Sequence, residues 1–373
     1  MALPPEKLLQ LSIFVVDIYN AIEEELLLNM AKILKNDIEL LLTAENAEQY
    51  QHWRMVQLNK LGVLNQQQIN TIARHSGKTA EEVHTMLQTA GYTAVEQHEG
   101  IYKKAVQLGL LAATSVAQTS TALIGILNAY ERQALETFNL VNTTMLKQAQ
   151  QVYLDILNTT VGKVLGGVIT PQQALRQTVS KWAQKGIPAF IDKAGRKWST
   201  EAYINNVTRS TSNNVANEMQ MKRGDEYGVD LIEVSSHLGA RPLCRKWQGA
   251  IYSKSGKHKK YRPLSDTSYG EAAGLGGCNC RHQFYPFIEG VSTQRYEPYD
   301  DTENDRVYKE SQQQRHLERQ IRKAKKEVKV MEALGDPEGV KEAKNKVSQR
   351  QAAMREFINQ TKRKRQYNRE QIV

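Results

Sequence analysis

"GLGGCNCRHQFYPF", Gly274 to Phe287, places two of the chain's three cysteines around one asparagine and follows them two residues later with a histidine. Glycines at 274, 276 and 277 permit turns that other residues resist, and Phe284, Tyr285 and Phe287 supply apolar bulk, so the stretch reads as part of a compact, turn-rich module. Three readings stand open for Cys278, Cys280 and His282: metal ligands, a catalytic thiol with its base, or a packed corner. If the stretch is extended, all three side chains project to one face.

Outward from it, residues 229–295 share one character. Gly, Tyr, Trp, Cys and His become frequent, no helical period survives, and "VDLIEVSSH" alternates like a short strand. The side chains able to bind a metal are His237, Cys244, Cys278, Cys280 and His282, with His258 a poorer candidate in a Lys-rich loop. A structural zinc held by His237, Cys244, Cys280 and His282 would take two ligands from each of two segments, although the spacing matches no paired CxxC pattern. Catalysis would use Cys280 as nucleophile and His282 or His237 as base, but nothing fixes an orienting acid or an oxyanion hole. Packing alone accounts for most of these residues: Trp247, Tyr252, Tyr269 and Phe284 form a small core, Gly239, Gly249 and Gly270 serve turns, and Arg241 and Arg281 staple loops. A disulfide between Cys278 and Cys280 does not suit same-face neighbours in a strand. The chain contains no P-loop, no GxGxxG after a strand, no HExxH and no GxSxG.

Before the module the sequence is helical. Leu11, Phe14, Val15, Ile18, Ile22, Leu26 and Met30 recur at three- and four-residue intervals. Thr79 and Glu82 form a capping-box pattern that predicts a new helix start, and a helical pattern runs from Ile101 to Leu165, with small residues in its middle suited to close helix contact. Thr170 and Pro171 mark another start, a loop surrounds Ile187-Pro188 and Gly195, and a helix is expected from Thr200 to Glu226. Beyond the module come two charged helices broken at Asp336-Pro337-Glu338-Gly339, read as a hairpin or coiled-coil arm with a wide solvated face. The expected fold is therefore mainly α: helical regions over residues 1–100 and 101–228, a small α+β module over 229–295, and a basic helical arm over 296–373.

Net charge is +10, and residues 303–373 hold 19 Lys+Arg against 11 Asp+Glu. That arm can neutralise DNA phosphates without reading sequence, or can simply be a solvated coiled coil. Three cysteines in 373 residues fit a reducing compartment. The first apolar stretch lacks a basic region ahead of it and is interrupted by Asp17 and Glu23 to Glu25, so it reads as neither signal peptide nor membrane span.

Taken as ordered blocks, "HLGARPLCRKWQGAIYS", "SYGEAAGLGG" and "NCRHQFYPF" resemble the phage minor capsid protein 2 family, which is related to the Mu F-like head morphogenesis module. The matching positions include His237, Gly239, Arg241, Trp247, Gln248, Gly249, Tyr269, Gly270, Asn279, Cys280, Arg281 and His282, and the likeness covers residues 101–290. Cys278 and Cys244 depart from the pattern, Cys244 standing where a histidine is common. The resemblance implies a structural, non-enzymatic virion protein of a tailed phage, made in the host cytoplasm. It further implies association with the portal and the capsid interior, a role in head morphogenesis and DNA packaging or ejection, N-terminal helices contacting the portal or other copies of the chain, and no membrane partner. An injected Cys/His hydrolase or toxin-like effector is the enzymatic alternative.

Overall fold

Ten α-helices and five short strands follow one another over the residues that the computed structural model describes, 5–167 and 169–372. The order is α1 (Pro5–Asn36), α2 (Ile38–Leu42), α3 (Ala47–Asn59), α4 (Leu61–Gln107), α5 (Thr121–Leu165), α6 (Pro171–Lys185), β1 (Pro188–Ile191), β2 (Lys197–Ser199), α7 (Thr200–Glu226), β3 (Leu231–Val234), α8 (Pro242–Arg245), β4 (Ile251–Ser253), β5 (Phe284–Pro286), α9 (Asp301–Leu334) and α10 (Pro337–Thr361). The mainly α expectation, with one small sheet region and a C-terminal helical pair, holds. Among the described residues no helix is long and apolar enough to cross a membrane.

The chain divides into two compact units, one made of Met1–Val16, Thr79–Thr137 and Ile204–Ser311, the other of Asp17–Lys78, Phe138–Tyr203 and Gln312–Val373. In the second unit, Phe138, Val141, Met145, Ala149, Val152 and Ile156 form one buried stripe along α5, and Tyr19, Ile22, Leu26, Met30 and Ile33 form another along α1. Tyr19 stacks on Phe138 with ring centroids 5.4 Å apart, and its hydroxyl donates to Asn142 Oδ1 at 3.0 Å. The apolar stripe of α1 is thus largely covered within the chain; of the residues that define it, Phe14 is the most open, at 59 % exposure. Thr170 caps α6 in a reciprocal box with Gln173, with Pro171 at the first helical position, as the sequence predicts.

Helices α9 and α10 meet where the sequence places the break. Asp336 caps α10 by accepting the Gly339 N–H at 3.1 Å and also receives a two-pronged bond from the Arg176 guanidinium, at 2.6 and 2.9 Å. The face of α9 is less solvated than its composition suggests: Ile321, Ala324, Val330, Met331 and Leu334 are buried. Much of its charge is internally paired, Lys326 with Glu23, Lys329 with Glu24, Arg322 with Glu201, and Lys346 of α10 with Glu327.

Three local expectations are corrected. Thr79 does not begin a helix: it lies inside α4, 3 % exposed, because Leu64, Ile72, Val83, Leu87, Ala90 and Ala94 continue one buried face past it. The helical pattern from Ile101 to Leu165 is interrupted instead. Gly109 adopts φ +71°, Leu110 N–H bonds Ala105 O and Gly109 N–H bonds Val106 O, which closes α4, and Ser120 Oγ accepts the Leu123 N–H to open α5. The segment around Ile187-Pro188 and Gly195 is a β1–β2 hairpin in which Asp192 accepts the N–H groups of Ala194 and Arg196.

In the first unit the module is a three-stranded antiparallel sheet ordered β4-β3-β5. Its core gathers Ile232, Val234, Cys244, Tyr252, Leu264, Leu275, Cys280 and Phe284, with Trp247 packed at its margin. Gly249, at φ +70°, sits where any Cβ would come within 2.4 Å of the Glu297 carbonyl carbon, so the segment entering α9 can run directly over it.

Candidate metal centre

Cys244 lies on the single turn of α8, whose start is set by Pro242 at the first helical position. Cys280 and His282 come from the turn before β5. That turn is not extended, contrary to the strand-like expectation: Asn279 takes φ +55°, and the strand begins only at Phe284. The left-handed residue sends Cys278 to the surface and brings Cys280 and His282 inward. Asn279 is held there by α7, its N–H donating to Ser210 Oγ at 2.9 Å and its side-chain amide to Asn206 Oδ1 at 2.7 Å.

Cys244 Sγ, Cys280 Sγ and a ring nitrogen of His282 all lie within 4.8 Å of one another, and all three residues are buried. Cys280 Sγ is 3.4 Å from His282 Nδ1 and also receives the His282 backbone N–H at 3.4 Å. The other ring nitrogen, Nε2, is 3.1 Å from Gln248 Oε1, and the same oxygen accepts the backbone N–H of His237 at 3.0 Å. A backbone N–H can only donate, so that bond fixes the orientation of the Gln248 amide. Its oxygen therefore requires the proton of His282 on Nε2, which leaves the Nδ1 lone pair facing the two sulfurs.

His237 is beside this cluster but outside the close set. Its ring stacks on His282 with centroids 4.4 Å apart and planes 21° apart, and neither of its ring nitrogens has a hydrogen-bond partner. Burial, with His282 and Arg281 nearby, pulls its pKa down to about 3, so the ring is neutral. The neighbouring Cys244 thiol, and then the His282 backbone N–H, hold Cys280 below the usual thiol range, while the adjacent Cys280 sulfur and burial push Cys244 up. Arg241 lies alongside, donating to the carbonyls of Cys278 and Gly274 at 2.5 and 3.1 Å and to Cys244 Sγ at 3.7 Å.

The remaining motif residues frame the cluster. Gly239 N–H donates to Asn304 Oδ1 at 2.9 Å, the Trp247 carbonyl accepts the Tyr252 hydroxyl at 3.0 Å, and Tyr269 meets Phe284 edge-on at 5.5 Å. Gly270 takes φ +89°, and Arg281 is exposed. Sequence reasoning passed over Asn304 of α9 and the asparagines of α7. Asn213 and Asn217 both donate to the His282 carbonyl, at 3.4 and 2.9 Å, and Asn217 Oδ1 accepts the Phe284 N–H. The four-residue spacing in "NNVAN" was the available signal, since it sets two amides on one helix face.

Chemically the cluster offers two soft sulfurs and at least one imidazole nitrogen among buried side chains. Cys280 is 4 % and His282 1 % exposed, which gives a nucleophile no face to present to a substrate.

Comparison with known proteins gives a consistent picture. The model of the family described as phage minor capsid protein 2 matches residues 3–359. A protein named "Structural protein" of Lactococcus phage LL-H is 30 % identical over 343 residues, covering 88 % of this chain and 91 % of its own length. Another with the same name, from Lactococcus phage mv4, is 35 % identical over 115 residues, 31 % of this chain and 94 % of its own length. No solved structure matches.

Proposed function

The chain belongs to the phage minor capsid protein 2 family, and from that premise we propose that it serves as a structural component of a tailed-phage head, inside the capsid and against the portal, in head morphogenesis and DNA packaging or ejection. The observation that carries this reading is the family match along residues 3–359, which takes in the helices as well as the Cys/His module. Burial of the Cys280–His282 pair supports a structural role over the hydrolase or toxin-like alternative.

Portal contact through the α1 stripe loses support, because Val15, Ile22, Leu26 and Met30 are buried within the chain. Leu108, Leu110 and Val116, at 57, 53 and 64 % exposure on the loop between α4 and α5, suit a protein partner better. Cross-linking mass spectrometry on purified heads tests the assignment. Links from Lys103 or Lys104, beside that loop, to the portal protein are expected, and links confined to tail proteins would refute it.

A DNA-contacting role for the C-terminal arm rests on Lys341, Arg355, Lys362 and Lys364, which are exposed. Deleting the arm would strip the partners from Glu23 and Glu24, so replacing these four bases with glutamine is the cleaner test. Retention of the full chain on duplex DNA should fall, with a shallower salt dependence; unchanged retention would remove this role.

A further inference from the structure

We propose that the module binds one zinc(II) ion through Cys244 Sγ, Cys280 Sγ and His282 Nδ1, with His237 as the fourth ligand and Gln248 as the residue that positions the His282 ring. This inference does not depend on the capsid assignment; it rests on the cluster alone.

Three independent features point to a metal. The first is the donor set: two thiols and an imidazole nitrogen within 4.8 Å of one another, from segments more than thirty residues apart in sequence. Sulfur and imidazole donors together suit zinc rather than the oxygen-loving calcium or magnesium.

The second is the tautomer. A histidine that binds a metal through one nitrogen commonly donates its other N–H to a fixed acceptor, which orients the ring and raises its basicity. Gln248 Oε1 is that acceptor, itself held by the His237 backbone N–H at 3.0 Å, and Gln248 is 2 % exposed. A glutamine placed merely to fill space would not need its oxygen aimed between two donors.

The third is His237. Both its ring nitrogens are buried without a partner, an arrangement that disfavours the folded state unless something engages them. A shared cation would engage one of them, and the stack on His282 places the ring beside the cluster. Zinc would also balance charge, since a dication and two thiolates with neutral imidazoles sum to zero in a site where an isolated thiolate is costly.

Such an ion would tie together the segment after β3, the α8 turn and the turn before β5. The sheet they surround has strands of only three or four residues, too short for independent stability, and a metal that joins its connections supplies folding free energy directly.

The test uses the full chain, expressed with zinc in the medium and purified without chelator. Elemental analysis should find one zinc per chain, retained in Cys278→Ser and lost in Cys280→Ser and His282→Ala. Gln248→Leu should weaken zinc affinity in chelator competition by about 10- to 100-fold, and His237→Ala by at least about tenfold, a metal-site effect of the same order. Because a ligand variant can fail to fold, cobalt(II) is also exchanged into the unmodified chain, where the visible bands of tetrahedral, thiolate-ligated cobalt are expected. Metal-free protein with three titratable thiols, or with one because Cys244 and Cys280 have formed a disulfide, would overturn the proposal. So would full zinc content in Cys280→Ser. Unchanged affinity in His237→Ala would overturn the fourth ligand.

Discussion

Asn304 of α9 and Ala240, sixty-four residues earlier, are joined in both directions: Asn304 Oδ1 accepts the Ala240 N–H at 2.8 Å, and Asn304 Nδ2 donates to the Ala240 carbonyl at 2.8 Å. The same oxygen takes the Gly239 N–H, so one buried side chain satisfies three backbone groups of the segment that leads to Cys244. Asn304→Ala leaves these groups buried and unpaired, at a cost of about 2–4 kcal/mol. Hydrogen exchange should show the Gly239 and Ala240 amides losing protection well ahead of those in α5; equal protection in the variant would show that the link carries little.

Gly249→Ala should be more damaging than its size suggests. The added methyl would lie 2.4 Å from the Glu297 carbonyl carbon and 2.5 Å from Pro298 N, on a residue at φ +70°. Neither neighbour is the end of a flexible side chain, so backbone must move, with strain of about 1–3 kcal/mol from the dihedral alone. A drop in melting temperature exceeding that of Gly77→Ala, where the added methyl meets nothing within 4 Å, is the expected comparison.

Arg176 and Asp336, 6 % and 3 % exposed, form a buried ion pair in the second unit. Asp336→Ala removes the two-pronged partner of Arg176, whose Nη1 keeps Glu338 at 2.7 Å and Glu342 at 3.3 Å, and it also removes the α10 cap, for an expected loss of about 1–3 kcal/mol. Urea denaturation should place Arg176→Met/Asp336→Asn between this variant and the unmodified chain, because the unpaired Nε–H and Nη2–H are then absent and Asn can still cap α10.

Acid should loosen the first unit through His98. Burial, with Arg295 nearby, pulls its pKa down to about 4, and its Nδ1 bonds the Ala94 carbonyl at 3.1 Å while the ring faces Tyr285. The unfolded chain takes up this proton near pH 6.5 and the folded chain does not, so stability is fully present above that pH and falls as pH drops toward 4. The contribution lost is at most about 3 kcal/mol. The difference in unfolding free energy between the unmodified chain and His98→Phe, measured from pH 7 to pH 4, should shrink along that curve; a pH-independent difference would contradict it.

The sequence made some of this legible for local reasons. Thr170-Pro171, the span of α7 and the break at Asp336-Pro337 carry their signals within a few residues, and the structure keeps them. Thr79 misled because a capping pattern of a few residues competes with an apolar face running far past it, and the face prevails. At the site, residue types point to His237, Cys244, Cys280 and His282 as one donor set, since two distant segments each supply soft donors; the structure gathers three of them within 4.8 Å and stacks the fourth beside His282. The like-facing strand was wrong because Asn279 adopts a left-handed turn that alternation does not reveal. Asn304 was invisible for a different reason: its partners are backbone groups, which leave no mark in sequence.

The proposed place of this chain inside the phage head can be tested by quantitative mass spectrometry of purified heads, treated with protease before and after disruption. Peptides of this chain should survive treatment of intact heads, at a few copies per portal, and disappear once the heads are opened. Absence from the particles, or complete digestion while the heads remain intact, would contradict it.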